Sequence, residues 1–368
     1  MQRLLILLSL VLLAACGQAS LPPPAPATAV AQALPTATAL PPIATLPPPT
    51  ATALPPTATP APPTATPDPF ADLAQFTIEG LRSRSYGGGS IERVQLLEEA
   101  PNFTRWLIAY PSDGLRITGM LNLPRGDAPF PVVILSHGWY PLDVYRTGDG
   151  TRLAADYLAQ RGFITISPDY RSHAGSDDAP NLFRAGHVID TLNLIPLAQA
   201  LPEARPGKLL LWGHSNGGAI VAKVIAVSDQ VAGALIYAPA SSNIVQDYQF
   251  RVGRSRLRQG QPPGRRSGVI DRLEVEFPVL PEQAPELYNR MSPLNYAQFV
   301  GARTLIVWGD QDEIVPRPWP EDLYTSLRDA GKAVTFEVYP DQPHSFNAAG
   351  NARYLPAMVQ FFRESIGS

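Results

Sequence analysis

A chain of 368 residues is long enough for one large or two ordinary domains. Its formal net charge of −3 gives no electrostatic reason to expect nucleic acid or an anionic membrane surface as a partner, and a single cysteine excludes any intrachain disulfide. An apolar fraction of 45% is ordinary for a globular protein, but 41 prolines are not, and seventeen of them fall between Leu21 and Pro69.

The chain opens with a short positive end, Met1-Gln2-Arg3, and an apolar run from Leu4 to Leu13. That run is too short to cross a bilayer, for which ~20 apolar residues are needed, and residues 1–15 read as a signal peptide. It closes in Leu13-Ala14-Ala15-Cys16, which resembles the lipobox of bacterial lipoproteins. The resemblance implies that Cys16 is acylated, becomes the first mature residue and anchors the chain to a membrane outside the cytoplasm, at the cell surface or in the periplasm. The alternative is an ordinary cleaved signal peptide with an incidental cysteine. From Gly17 to Pro67 the sequence is almost wholly Ala, Pro, Thr and Leu, without one charged residue. Small apolar residues broken by proline cannot build a core, so residues 16–69 read as a disordered tether. Polyproline II favours ~3 Å per residue, a reach of up to ~150 Å.

A domain is expected from residue 70 to 368. Ile91–Leu97, Thr104–Tyr110 and Ile117–Leu123 read as short strands separated by the turn residues of 100–102 and 111–114, which implies antiparallel hairpins at one edge of a sheet. Beyond Pro131 the pattern alternates. Val132–Leu135, Phe163–Ile166, Lys208–Trp212, Val231–Ile236, Thr304–Trp308 and Val334–Val338 are continuous apolar runs suited to parallel strands buried on both faces. Helical stretches lie near Thr151–Gln160, Ala185–Ala200, Gly217–Val227, Pro320–Ala330 and Ala352–Ser365. This predicts an α/β fold with an open, doubly wound, mostly parallel sheet, whose chemistry sits at the carboxyl ends of the strands. Ser241 to Gly301 separates two strands by about sixty residues, far beyond an ordinary connection. It reads as a cap insertion. It contains Arg251, Arg254, Arg256, Arg258, Arg265 and Arg266, which either charge a substrate pocket or belong to a solvated surface.

The apolar run ending at Trp212 leads into Gly213-His214-Ser215-Asn216-Gly217, and a helical stretch follows. This is G-x-S-x-G in the strand–turn–helix setting that gives the motif meaning: a sharp turn lifts the serine hydroxyl clear of the sheet, and the flanking glycines leave room for it. The helix start adds a positive dipole end, and the Asn216 N–H can face a developing oxyanion. A serine hydroxyl needs a base oriented by an acid, in the chain order Ser, Asp or Glu, His. His344 alone of five histidines follows Ser215, apart from the serine's own motif, in a loop before the last helix. The acid is sought after Thr304–Trp308, in Gly309-Asp310-Gln311-Asp312-Glu313-Ile314-Val315. Asp312 is the first candidate, and Asp310 the second or else a turn former. The second oxyanion donor is expected from Ser136-His137-Gly138-Trp139-Tyr140, with the Trp139 N–H as candidate; the plainer reading is a turn with packing aromatics. No H-E-x-x-H, cysteine pair or close histidine pair suggests a metal, and acyl transfer by such a triad needs no cofactor.

Leu135–Gly138, Tyr170–Ser176, Gly213–Gly218, Gly309–Val315 and Pro343–Phe346 together resemble the α/β-hydrolase superfamily. The resemblance is nearest to the catalytic domain of prolyl-oligopeptidase-type (S9) peptidases and to dienelactone-hydrolase-like esterases, and it implies the triad Ser215, Asp312, His344. Asp312 matches the family's G-x-x-D-x-x-V spacing. Two departures favour an esterase: residues 70–131 are too few for the β-propeller usual in S9 peptidases, and His214 stands where those often have Gly. Small-molecule, peptide or polymer substrates are all compatible. The rivals are a peptidase for short peptides and a tethered binding lipoprotein without activity, which would have no need of all three triad residues.

Overall fold

The computed structural model of the chain describes residues 69–258 and 269–367, with side chains omitted between 254 and 272. Cys16 and the proline-rich segment lie outside the described residues, as do the side chains of Arg254, Arg256, Arg258, Arg265 and Arg266.

Nine strands in the described residues make one sheet in the order β1-β2-β3-β5-β4-β6-β7-β8-β9. A short helix α1 (Ile78–Arg82) comes first, started by Thr77, whose hydroxyl accepts from Gly80 N at 3.0 Å. β1 (Glu92–Glu99), β2 (Phe103–Ser112) and β3 (Leu115–Pro124) form the antiparallel edge. The turn between β2 and β3 is Asp113-Gly114, both at positive φ, the two-residue geometry whose twist suits a hairpin. β4 (Val132–Ser136), β5 (Ile164–Pro168), β6 (Leu209–His214), β7 (Val231–Tyr237), β8 (Arg303–Gly309) and β9 (Val334–Tyr339) run parallel. All nine strands fall where the apolar runs predict them, as the mostly parallel α/β sheet requires.

Alternation along the central strands sorts side chains into two cores. Val132, Ile134, Leu209 and Leu211 face α3 (Gly186–Gln199), α4 (Asn216–Val227) and α8 (Pro318–Asp329). Val133, Leu135, Leu210 and Trp212 face α2 (Arg152–Ala159) and α9 (Ala348–Ser365). Two buried faces explain why these strands read as unbroken apolar runs. Between β7 and β8 lie α5 (Ile244–Arg258), α6 (Val269–Glu276), α7 (Pro285–Met291) and the 3-10 turn Pro293–Phe299. Ile244, Phe277, Leu287, Tyr288 and Met291 close over Phe183 in a third, smaller core. The insertion is thus packed onto the turn that precedes α3.

Candidate active site

β6 delivers the chain to Ser215 at φ 57°, ψ −119°, and α4 starts at the next residue. This strained turn exists because neither flank has a side chain. A Cβ on Gly213 would lie 2.2 Å from the Gly217 carbonyl oxygen, and one on Gly217 would lie 1.9 Å from that of Ser136. The turn is tied to the end of β7: Ser215 N donates to Tyr237 O at 2.9 Å, and Ser215 O accepts from Ala240 N at 3.0 Å.

The structure brings Asp312 and His344 together. Asp312 follows β8 with its side chain fully buried, and its Oδ1 accepts from the backbone of Ile314 and Val315, both at 2.8 Å. His344 Nδ1 donates to Asp312 Oδ2 at 2.9 Å, so in the neutral ring Nε2 is left unprotonated. Asp310 instead accepts from Asp341 N at 2.7 Å, which gives it the turn-forming role. His214 underlies the pair. Its Nε2 donates to His344 O at 3.0 Å, its ring centroid lies 4.7 Å from that of His344, and burial beside His344 pushes its pKa down to about 4. His214 is therefore a neutral packing group.

Ser215, His344, Asn216 and Trp139 line one cavity of about 250 Å³, with Phe250 and Trp319 among its apolar walls. Those two rings meet edge to face at 5.0 Å. Both proposed oxyanion residues thus border the cavity that holds the serine and the histidine. Gly138 lets the loop after β4 approach: a Cβ there would already touch Ser215 Cβ at 3.4 Å.

The model of the alpha/beta hydrolase family matches residues 132–356, from β4 into α9. The chain belongs to the alpha/beta hydrolase family. It is similar to an uncharacterized peptidase, YtmA, of Bacillus subtilis, at 22% identity over 74% of this chain and 98% of that protein. Esterase EstD of Thermotoga maritima is 24% identical over 62% of this chain and 57% of its own length. Among solved structures, acetyl xylan esterase 1 from Thermoanaerobacterium superposes with a TM-score of 0.57 at 18% identity, covering 81% of this chain and 94% of that one. The acylaminoacyl peptidase of Pyrococcus horikoshii gives 0.55 at 18%, over 72% and 42%. The structural likeness fixes the fold and leaves the substrate open.

Two further groups of this hydrolase join residues that the sequence does not link to one another. The first supports the loop after β4. His137 is buried, stacks on Tyr145 at 4.4 Å and has Nδ1 2.7 Å from Gly138 O. Beneath it Asp169 accepts from the hydroxyls of Thr118, Tyr145 and Thr147 at 2.6–2.9 Å. Burial nevertheless pushes its carboxyl up to about 6. The second group is Arg184, Arg251, Asp247 and Glu276, gathered at Asn216 from the turn before α3 and from the insertion. Of the six arginines named above for that segment, Arg251 has a described side chain, and it lines the cavity.

Proposed function

We propose that this chain is a lipid-anchored serine hydrolase outside the cytoplasm that cleaves carboxylic ester or amide bonds through Ser215, His344 and Asp312. One observation carries the reading: the Asp312–His344 hydrogen bond leaves Nε2 as a base on a ring bordering the same cavity as Ser215. Nε2 takes the hydroxyl proton as Oγ attacks the carbonyl, and Asp312 stabilises the resulting imidazolium. The backbone N–H groups of Asn216 and Trp139 hold the oxyanion, each such donor being worth ~10²–10³ in rate. The imidazolium passes its proton to the leaving group, and water then repeats the sequence to release the acid from Ser215.

Labelling with a fluorophosphonate tests this directly: wild type should label, and Ser215→Ala should not. A well-folded wild type that stays unlabelled would sink the reading and favour a tethered binding protein. The likeness to YtmA and to dipeptidyl aminopeptidase BIII of Pseudoxanthomonas mexicana supports a second reading, a peptidase for short peptides. It is separated by comparing peptide p-nitroanilides with p-nitrophenyl esters. The anchor is tested by Cys16→Ser, which should move the protein from the membrane to the soluble fraction. Cutting out residues 17–67 should lower turnover of an insoluble polymeric ester and spare a soluble one.

A further inference from the structure

Asn216, the residue after the nucleophile, is buried, and its side chain is gripped from two sides. Its Oδ1 accepts from Arg184 Nη2 and, at 3.1 Å, from Arg251 Nη2. Each guanidinium is in turn held by a carboxylate of the insertion. Arg251 Nε donates to Asp247 Oδ2 at 2.7 Å, and Arg184 Nη1 donates to Glu276 Oε2 at 3.1 Å. Arg184 Nε also lies 3.9 Å from the same Asp247 oxygen. Two cations and two anions pair off, and the buried Lys223, which interacts with both Asp247 and Arg184, stands beside them.

Its hydrogen-bond inventory is not balanced. Guanidinium groups carry donors only, and the Asn216 amide nitrogen adds more. Oδ1 of Asn216, Oδ2 of Asp247 and Oε2 of Glu276 are engaged by these donors, while Asp247 Oδ1 is buried and meets none of them. Two cationic donors on Oδ1 also set the sense of the amide, since a flip would press its NH₂ against both guanidiniums. The donors that border the cavity, those of Asn216 and Arg251, stand beside one carboxylate oxygen that none of them reaches.

The wall is well placed to use them. Asn216 and Arg251 line the cavity of Ser215 and His344, and both also line a neighbouring cavity of about 220 Å³ walled by Tyr140, His173 and Arg184. A leaving group must stand over His344 to receive its proton. A group on the acyl side of the carbonyl that reaches the second cavity passes Asn216 and Arg251, which line both.

We propose that Asn216 and Arg251 form a donor subsite for a neutral acceptor oxygen on the acyl chain (an ether, hydroxyl or carbonyl oxygen near the scissile carbonyl). The substrates are then oxygen-substituted acyl groups rather than plain alkanoyl groups, an inference that rests on the serine-hydrolase reading above. A carboxylate fits less well, because Asp247 lines the same cavity and its Oδ1 is already without a donor.

The test uses p-nitrophenyl methoxyacetate and butanoate, which share a leaving group and a chain length. Their kcat/KM ratio is divided by the ratio of their hydroxide-catalysed rates, which removes intrinsic reactivity. The full-length wild type is expected to favour methoxyacetate by about 10-fold after that correction, equivalent to about 1.4 kcal/mol. Arg251→Met should lose the preference while still labelling with fluorophosphonate. Because that change strands Asp247 as a buried charge, Asp247→Asn combined with Arg251→Met is the companion variant that removes both charges together. A corrected ratio near one in wild type, or a ratio unchanged in both variants, overturns the subsite. Preference for the mono-p-nitrophenyl ester of succinic acid over both esters overturns the neutral-oxygen assignment. Absence of labelling in wild type would instead bring down the serine-hydrolase reading, so the two failures are distinguishable.

Discussion

Asp312 uses both carboxylate oxygens, one on two backbone N–H groups and one on His344. Asparagine at this position has one acceptor oxygen to divide between those partners. Its oxygen would stay with the N–H groups of Ile314 and Val315, turning its NH₂ toward His344 Nδ1. That nitrogen must then become the acceptor, which places the ring proton on Nε2, where the base is needed. Asp312→Asn is therefore expected to lower kcat by ~10⁴, the order found when the orienting acid of a Ser-His-Asp triad is converted to its amide. Asp310→Asn keeps an acceptor for Asp341 N and should stay within a few-fold of wild type. Steady-state kinetics on one activated ester compares the two, and equal losses would reverse the assignment. Ser215, Asp312 and His344 could be picked out of the sequence as candidates because the proposed chemistry imposes spacing and chain order. Arg184 was not, since it stands on a turn where Phe183 and Arg184 both adopt positive φ, a conformation that Leu-Phe-Arg does not announce.

The elements carry uneven constraints, and glycine substitutions read them. Gly217 lies in α4 packed against the loop after β4, and an added Cβ would meet the carbonyl oxygens of Ser136 at 1.9 Å and His137 at 2.7 Å. These are backbone atoms of a central strand and its loop, and they cannot move aside. Gly217→Ala is expected to cost several kcal/mol, by the overpacking that typically costs ~1–3 kcal/mol or more, and to abolish labelling even where protein remains folded. Gly253 sits exposed in α5, and a Cβ there meets nothing within 4 Å. Gly253→Ala should therefore stabilise its helix by ~0.5–1 kcal/mol, seen as a rise of about 2 °C in melting temperature. A drop there would mean that α5 needs the glycine for movement or close packing. The same contrast explains what could be read in advance. Strands buried on two faces betray themselves by apolar runs, whereas α5 is polar along most of its length and, among its described side chains, Ile244 and Asp247 are buried. The segment between β7 and β8 was legible as an interruption, and its helices were not.

Acid sensitivity belongs to the whole molecule, because the groups responsible are spread across both cores and the site. Burial holds His137 down to about 3 and His214 down to about 4, with His173 and His344 adding to the effect. His187 is pushed well below its ordinary value by burial and by Arg184. Each has a folded pKa below its unfolded value of ~6.5, so below that pH the unfolded chain binds more protons and stability falls as pH falls. Asp169 acts in the opposite sense. Its carboxyl, raised to about 6, takes up a proton in the folded state first, so stability grows as pH drops from about 6 toward the ordinary carboxylate range. Between pH 7.5 and 5, at ~1.4 kcal/mol per unit, His137 and His214 each lose about 2 kcal/mol and Asp169 returns about 1 kcal/mol, and His187 adds to the net loss. Urea unfolding at the two pH values measures it. His187→Gln should reduce the loss measurably, if the variant keeps its fold at pH 7.5. Stability that stays level from pH 7.5 to 5 would mean that these imidazoles are hydrated or charged in the native state, and the packing assigned to the loop after β4 would have to be redrawn.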